Sequence, residues 1–408
     1  MGPTALLRRN SSFRLLFFAT LGSLLGTWLA TIALTVEIYD RTHSGGWVSA
    51  LLIALFLPTV LVGLVIGPQI DRRSRRTLMI ASDLLRAAVF VALPFVDASL
   101  WIVVLAGLTG LGNAVFRPAV HAGLPNLLDD EDLEHGNALF QTVENVAWAA
   151  GPLVGGAIVA ASGTHPAYWI NAASFVYSAL VIGRIPARLL QSEQEPGSGH
   201  FSDIKEGLAV ARRSPALRTV ILSWSVVMVG SACVDVGEVV LAKDSFNAGD
   251  FGFGLLFGAG GLGLAIGSWV GGVLATRRPI AWLYGPAILL MAVGYGGAAV
   301  SPNVWVAACP IVLAGAGNGA ASLYNVLIIQ RGVGDRLRGR AFTIAMSATY
   351  AVLGVSMAGA GPVTTALGGR WVFGIAAFMF VVAGAIGLVL APRIGQRSEE
   401  PVLEAVAP

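Results

Sequence analysis

Apolar runs of about twenty residues recur from one end of this chain to the other, and no other feature limits its fold so tightly. A run of that length crosses the hydrocarbon core of a bilayer as an α-helix. In lipid each backbone polar group must be satisfied inside its own segment, so helices are the form such runs take. Spans are placed near 13–39, 46–70, 77–96, 99–120, 137–162 and 165–183, and again near 217–243, 252–276, 279–301, 303–330, 340–366 and 369–391. Charge agrees with this reading: 12% of the 408 residues are charged, against about 25% in soluble domains. The first run, Phe13 to about Ile38, is too long for a signal-peptide core and is read as the first span. The expectation is an all-α membrane protein of twelve transmembrane helices.

The cations set the orientation. With both termini on the cytoplasmic side, twenty-one Lys/Arg residues fall inside, three outside (Arg41, Lys243 and Arg370) and two within spans (Arg86 and Arg117). Positive loops stay cytoplasmic, so the sequence predicts a multi-pass protein of a bacterial inner membrane. The scarcity of lysine, two against twenty-four arginines, points the same way through a GC-rich genome. Because the cations sit in short loops, the net charge of +3 is no nucleic-acid signal. The one long polar stretch, 184–216, is read as a cytoplasmic linker with a short amphipathic helix from Ser202. It separates an N-terminal bundle (1–183) from a C-terminal bundle (217–391), followed by a cytoplasmic tail (392–408).

The two halves echo each other. "GLGNAVF" at 110–116 and "GAGNGAA" at 315–321 are offset by 205 residues, and Gly151-Pro152 is matched by Gly361-Pro362. Such six-plus-six repeats, here two pseudo-symmetric six-helix bundles, are a habit of secondary transporters, which bind substrate between the halves.

Gly67, Asp71, Arg72, Arg75, Arg76 and Met79 resemble the loop signature of the major facilitator superfamily, with Gln69 and Ser74 replacing its usual leucine and second glycine. The resemblance implies a cytoplasmic gate in which the aspartate and arginines hold neighbouring helix ends, an arrangement that helix dipoles and arginine forks favour. In the fifth span Gly151, Pro152, Gly155 and Gly156 resemble the motif of drug and metabolite antiporters, although Ala147 stands where a further glycine is common. Small residues four apart let helices approach closely and proline bends them. The chain is most similar to bacterial exporters of macrolides, siderophores and other drugs or metabolites. It departs from proton-coupled relatives at Gly107, where an arginine is usual, and at Thr27, where an acid is frequent. The proton site is therefore sought in this chain's own residues.

Ionisable groups within spans are costly and point to function. Ser231, Asp235 and Glu238 share one face of the seventh span, which Trp224 and Met228 extend. Asp235 and Glu238 are candidate proton carriers. In the fifth span Gln141, Glu144, Asn145 and Trp148 lie within about a 100° arc. Glu144 is either a third carrier or half of a buried structural pair with Arg117. Asp83 and Arg86 are expected to form a local pair. Ser23, Thr27 and Thr31 continue to Thr35 as a hydroxyl stripe beside a small face of Gly22, Gly26 and Ala30. That stripe either lines the cavity or bonds back to its own helix. Asn113, Asn318, Ser322 and Asn325 complete the candidate lining.

No phosphate loop occurs, the histidines lack metal-ligand spacing, and Cys233 and Cys309 suggest no disulfide framework. The sequence thus predicts no enzyme, no metal and no cofactor. It predicts a monomeric proton-coupled exporter of a small amphipathic compound, such as an antibiotic or secreted metabolite, by alternating access. The alternatives are a siderophore or metabolite transporter with other coupling or direction and, more remotely, a non-transporting scaffold or sensor.

Overall fold

The computed structural model describes residues 3–65, 73–191, 214–333 and 335–392. Within them lie twelve helices of eighteen residues or more and no strand. In chain order they are α1 (Ser11–Thr42), α2 (Gly45–Val65), α3 (Arg75–Ala92), α4 (Ser99–Gly123), α5 (Asp130–Ser162) and α6 (Thr164–Ile182). Then come α7 (Pro215–Val240), α8 (Gly249–Arg277), α9 (Ile280–Val300), α10 (Val304–Gly332), α11 (Asp335–Leu367) and α12 (Gly369–Leu390). Ten are long and apolar enough to cross a membrane; α2 qualifies only as the shorter stretch Gly45–Thr59, and α6 is not among the ten.

The helices fall where the apolar runs are, and the differences lie at their ends. α5 starts at Asp130 and α11 at Asp335, ahead of the expected 137 and 340. Hydropathy finds where a helix enters lipid, whereas the charged turns of "DEDLEHGN" and "DRLRGR" continue the same helices beyond it. Side chains close several of the ends. Asn10 and Asn303 cap α1 and α10, accepting from Phe13 N at 2.9 Å and Val306 N at 3.0 Å. At the end of α1, His43 adopts a left-handed conformation and its N–H bonds to Tyr39 O.

Chain contacts gather the described residues into two compact units. One takes in Met1–Pro196 with Glu238–Gly258 and Ala360–Ala366; the other takes in Gly197–Gly237, Ala259–Gly359 and Leu367–Pro408. In the first, α1 packs on α5 and α6, α2 on α4, and α3 on both α4 and α6; in the second, α9 packs on α10 and α12.

The internal repeat is visible as matching contacts. A Cβ on Gly110 of α4 would stand 2.5 Å from Leu55 O of α2, and one on Gly315 of α10 would stand 2.2 Å from Gly260 O of α8. Residues 205 apart thus let equivalent helices touch backbone to backbone. The turns at Gly163 (φ 80°) and Gly368 (φ 79°) keep the same offset. The far end of the third helix in each half also receives an arginine. Arg41 Nη1 donates to Val96 O at 2.9 Å after α3, and Arg370 Nη1 to Ala299 O at 2.9 Å and Ser301 O at 2.7 Å at the end of α9.

Candidate functional site

Gly67, Asp71 and Arg72 of the loop signature lie outside the described residues, as does the expected amphipathic helix. Two of its arginines are described. Arg75 Nη1 reaches Ala122 O at 2.9 Å and Leu190 O at 3.1 Å, and Arg76 donates to Gly183 O. Both therefore tie the start of α3 to the last carbonyls of α4 and α6. The end of the helices carrying them is called the basic end below.

The antiporter-like motif sits on α5 with two packing directions. A Cβ on Gly151 would stand 2.6 Å from Trp28 Cβ, and one on Gly155 would stand 3.0 Å from Leu29 Cα, so these two glycines face α1. Gly156 faces α8 instead: its Cβ would lie 2.8 Å from Gly254 Cα and 3.0 Å from Asp250 O. Pro152 leaves its carbonyl 2.7 Å from the place of a Gly254 Cβ. One turn toward the basic end, Trp28, Trp148 and Phe257 form a ring triad with centroids 5.8–6.0 Å apart. The sequence pointed to Trp148; its two partners come from α1 and α8.

At the end opposite the basic one, the same unit holds a charged cluster that sequence reasoning missed. α7 closes in a π-helical turn, Leu241–Ser245, a form often found at functional positions. It carries Lys243, which pairs with Asp40 of α1 and, at 2.6 Å, with Asp250 of α8. Beside it Tyr39 donates to Asp244 at 2.5 Å. Glu37, one turn below on α1, accepts from Arg41 and from Tyr168 of α6. The available signal was the density of charge in "EIYDR" and "AKDS", at the very ends of two apolar runs.

The remaining predicted residues separate into three groups. The first is engaged inside the first unit. Asn113 Oδ1 accepts from Arg86 Nη1 at 2.6 Å, so it belongs to a buried network rather than to a lining. That network is more than the local pair expected: Arg86 and Asp83 are 2% and 0% exposed, and the guanidinium lies between the rings of Phe116 and Phe175 at 4.5 and 4.2 Å. The hydroxyl stripe of α1 bonds back to its own helix, Thr27 to Ser23 O and Thr31 to Thr27 O at 2.7 and 2.8 Å. Its small face meets α6, with Gly26 against Ser174 and Asn171.

The second group is exposed. Arg117 Nη2 donates to Glu144 Oε1 at 2.9 Å, but the Arg117 side chain is 57% exposed, so the expected buried pair forms without being buried. His121 Nε2 stands 3.8 Å from the same oxygen. Gln141 donates to Asn145 along α5.

The third group belongs to the second unit. There a cavity of about 200 Å³ opens between α7, α10 and α11, lined by the predicted Trp224, Ser322 and Asn325 and by the unpredicted Phe342, Met346 and Tyr350. Asn318 touches it through Ser322, which donates to its Oδ1 at 3.3 Å. Met228, Ser231 and Asp235 lie further along α7. Asp235 is half-buried, and among the described residues it has no hydrogen bond or ion pair. Four other carboxylates in the apolar parts of the described helices have partners: Glu37, Asp83 and Glu144 as above, and Glu238, which is buried.

This chain has relatives among known proteins. It is 28% identical over 396 residues to the multidrug efflux pump Tap of Mycobacterium tuberculosis (strain ATCC 25618 / H37Rv), covering 92% of each. It is 26% identical over 378 residues to the MFS-type transporter YfiS of Bacillus subtilis (strain 168), covering 90% of each. To the macrolide efflux protein A of Streptococcus pyogenes it is 22% identical over 301 residues, 71% of this chain and 74% of that one. Among solved structures, a peptide transporter POT in complex with alafosfalin shares the fold with a TM-score of 0.75 at 14% identity, over 95% of each chain. A bacterial homologue of the lysosomal transporter Spinster gives 0.73 at 14% identity, over 94% of this chain and 97% of that one. The sequence profile of the Major Facilitator Superfamily matches residues 16–351. A multi-pass, all-helical membrane transporter with relatives among efflux pumps, this chain belongs to the Major Facilitator Superfamily.

Proposed function

We propose that the chain is a proton-coupled exporter of a small amphipathic compound, such as an antibiotic or a secreted metabolite, working by alternating access. The basic end faces the cytoplasm of a bacterial inner membrane, both termini are cytoplasmic, and the protein acts as a monomer without nucleic acid, metal or cofactor. The observation that carries the coupling is Asp235. A carboxylate inside a span is costly, and this one has neither hydrogen bond nor ion pair among the described residues. A group balanced by no neighbour is free to exchange a proton as the solvent around it changes. Efflux pumps among the relatives, the glycine seam of α5 on α8 and an aromatic cavity with neutral polar groups support the export reading. The charged cluster at the far ends of α1, α7 and α8 is then an outer latch that parts when the outer side opens.

The test is transport into proteoliposomes under an imposed pH gradient. Asp235→Asn should bind substrate and exchange it without a gradient, yet lose gradient-driven movement. Full gradient-driven movement by Asp235→Asn, with loss in Glu144→Gln at unchanged stability, would move the proton path to α5. A siderophore or metabolite transporter with other coupling remains the second reading, favoured if no pH gradient drives the wild type. A scaffold or sensor would move nothing.

A further inference from the structure

The cavity between α7, α10 and α11 presents a chemistry set by residues behind it. Tyr284 of α9 is fully buried, and its hydroxyl donates to Asn325 Oδ1 at 2.6 Å. Ser223 Oγ stands 2.7 Å from the phenol oxygen and 2.6 Å from Thr219 O. A phenol has one proton, and a primary amide has one accepting and one donating edge. With the accepting edge held by Tyr284, the edge that Asn325 offers elsewhere is its NH2. Asn325 lines the cavity while only 8% exposed, so a donor is presented in a setting largely shielded from water.

The two aliphatic hydroxyls nearby are engaged as donors. Thr349 gives its proton to Ala345 O at 2.8 Å and Ser322 gives its own to Asn318 Oδ1. The walls are Trp224, Phe342, Met346 and Tyr350, and none of the described lining residues carries a charge. At about 200 Å³ the space is smaller than the roughly 300–1,000 Å³ that encloses a whole drug-sized ligand. It suits one part of a molecule.

We propose that this cavity takes an uncharged, ring-bearing portion of the transported compound. Asn325 recognises a carbonyl or ether oxygen on it through its NH2, and Tyr284 is the positioning residue that keeps that edge turned to the ligand. That the compound is transported rests on the export reading; its recognition belongs to the cavity alone.

Binding of tritiated 9-fluorenone and of fluorene to the purified full-length protein in nanodiscs tests it, since the two probes share a skeleton and differ by one carbonyl. The wild type should prefer the ketone by about tenfold, the worth of one well-made hydrogen bond. Asn325→Leu, or Asn325→Ala if the first does not fold, should erase that preference and leave fluorene affinity unchanged. Tyr284→Phe should cut the preference about threefold, again with fluorene unchanged, whereas a merely structural role would weaken both probes alike. Fluorenone-4-carboxylate should bind at least tenfold more weakly than fluorenone. Equal affinity of the wild type for ketone and hydrocarbon, no binding of fluorenone, a preference that survives loss of Asn325, or tight binding of the carboxylate would each overturn the assignment. Counterflow of fluorenone in proteoliposomes separates the two readings. Discrimination without movement keeps the cavity assignment and removes export of such compounds. Movement without discrimination does the reverse.

Discussion

Replacing Arg86 by methionine keeps an unbranched, flexible apolar stem, shortens it and removes its charge. In the structure Arg86 pairs with Asp83, donates to Asn113 Oδ1 at 2.6 Å and lies between two phenyl rings at 4.5 and 4.2 Å. Asp83 is 0% exposed, so the variant buries a carboxylate without its cation. Breaking a buried pair from one side costs about 3–5 kcal/mol. Loss of the two cation–ring contacts adds about 1–2 kcal/mol, partly offset because a methionine sulfur also packs well on rings. The sum expected for Arg86→Met is about 4–6 kcal/mol. Asp83→Asn, which leaves the arginine unbalanced, should cost nearly as much. The double variant should cost far less than the two together, about 1–2 kcal/mol, because no charge is then left alone and only neutral amides, at Asn113 and at position 83, lose the arginine as partner. Reversible unfolding of the purified protein in mixed micelles, run as a double-mutant cycle, measures all three. Costs that simply add would refute the pairing. A single-variant cost below about 1 kcal/mol would refute the burial.

Four further outcomes are expected. Gly156→Val should abolish transport and lower the yield of folded protein, because its first carbon already meets the backbone of α8 at 2.8 Å. Gly354→Ala, with nothing within 4 Å, should be neutral or stabilising by up to about 1 kcal/mol; transport by the valine variant at the wild-type rate would dissolve the seam. Lys243→Met should cost about 1 kcal/mol and speed hydrogen exchange at Gly249–Gly254, and unchanged exchange there would remove the latch. Glu144→Gln should leave stability within about 0.5 kcal/mol, since the side chain of its partner Arg117 is 57% exposed; a fall of several degrees in Tm would show that the pair is structural after all.

The length of each apolar run made the helices legible, because the bilayer sets one dimension for all of them. Contacts between distant residues were less so. Asn113 and Asn318 occupy matching places, yet one turns to Arg86 and the other to Ser322. Helical periodicity shows which face a residue occupies without showing what the neighbouring helix brings to it. The threonines of α1 carried the same ambiguity, and a hydroxyl beside its own helix carbonyl resolved it by the nearest acceptor. Arg117 was expected to be buried with Glu144, yet its side chain is 57% exposed, because the sequence does not show which neighbouring helix covers that face. Lys243, Asp40 and Asp250 were invisible as a group: only the fold brings residues about two hundred apart into one ion cluster.

The turns at Gly163 and Gly368 have a consequence for how the two halves diverged. Neither glycine has an atom within 4 Å of where a side chain would begin, so room is available for one. What excludes other residues is the backbone itself, held near φ 80° in both places. If the halves arose by duplication, the neighbouring letters drifted, Ser-Gly-Thr at one turn and Leu-Gly-Gly at the other. Drift could touch any side chain there while the chain still had to reverse through the same angle. The correspondence of the two halves is kept at these two points as a torsion, and a comparison of letters alone would read it as one more glycine among 51.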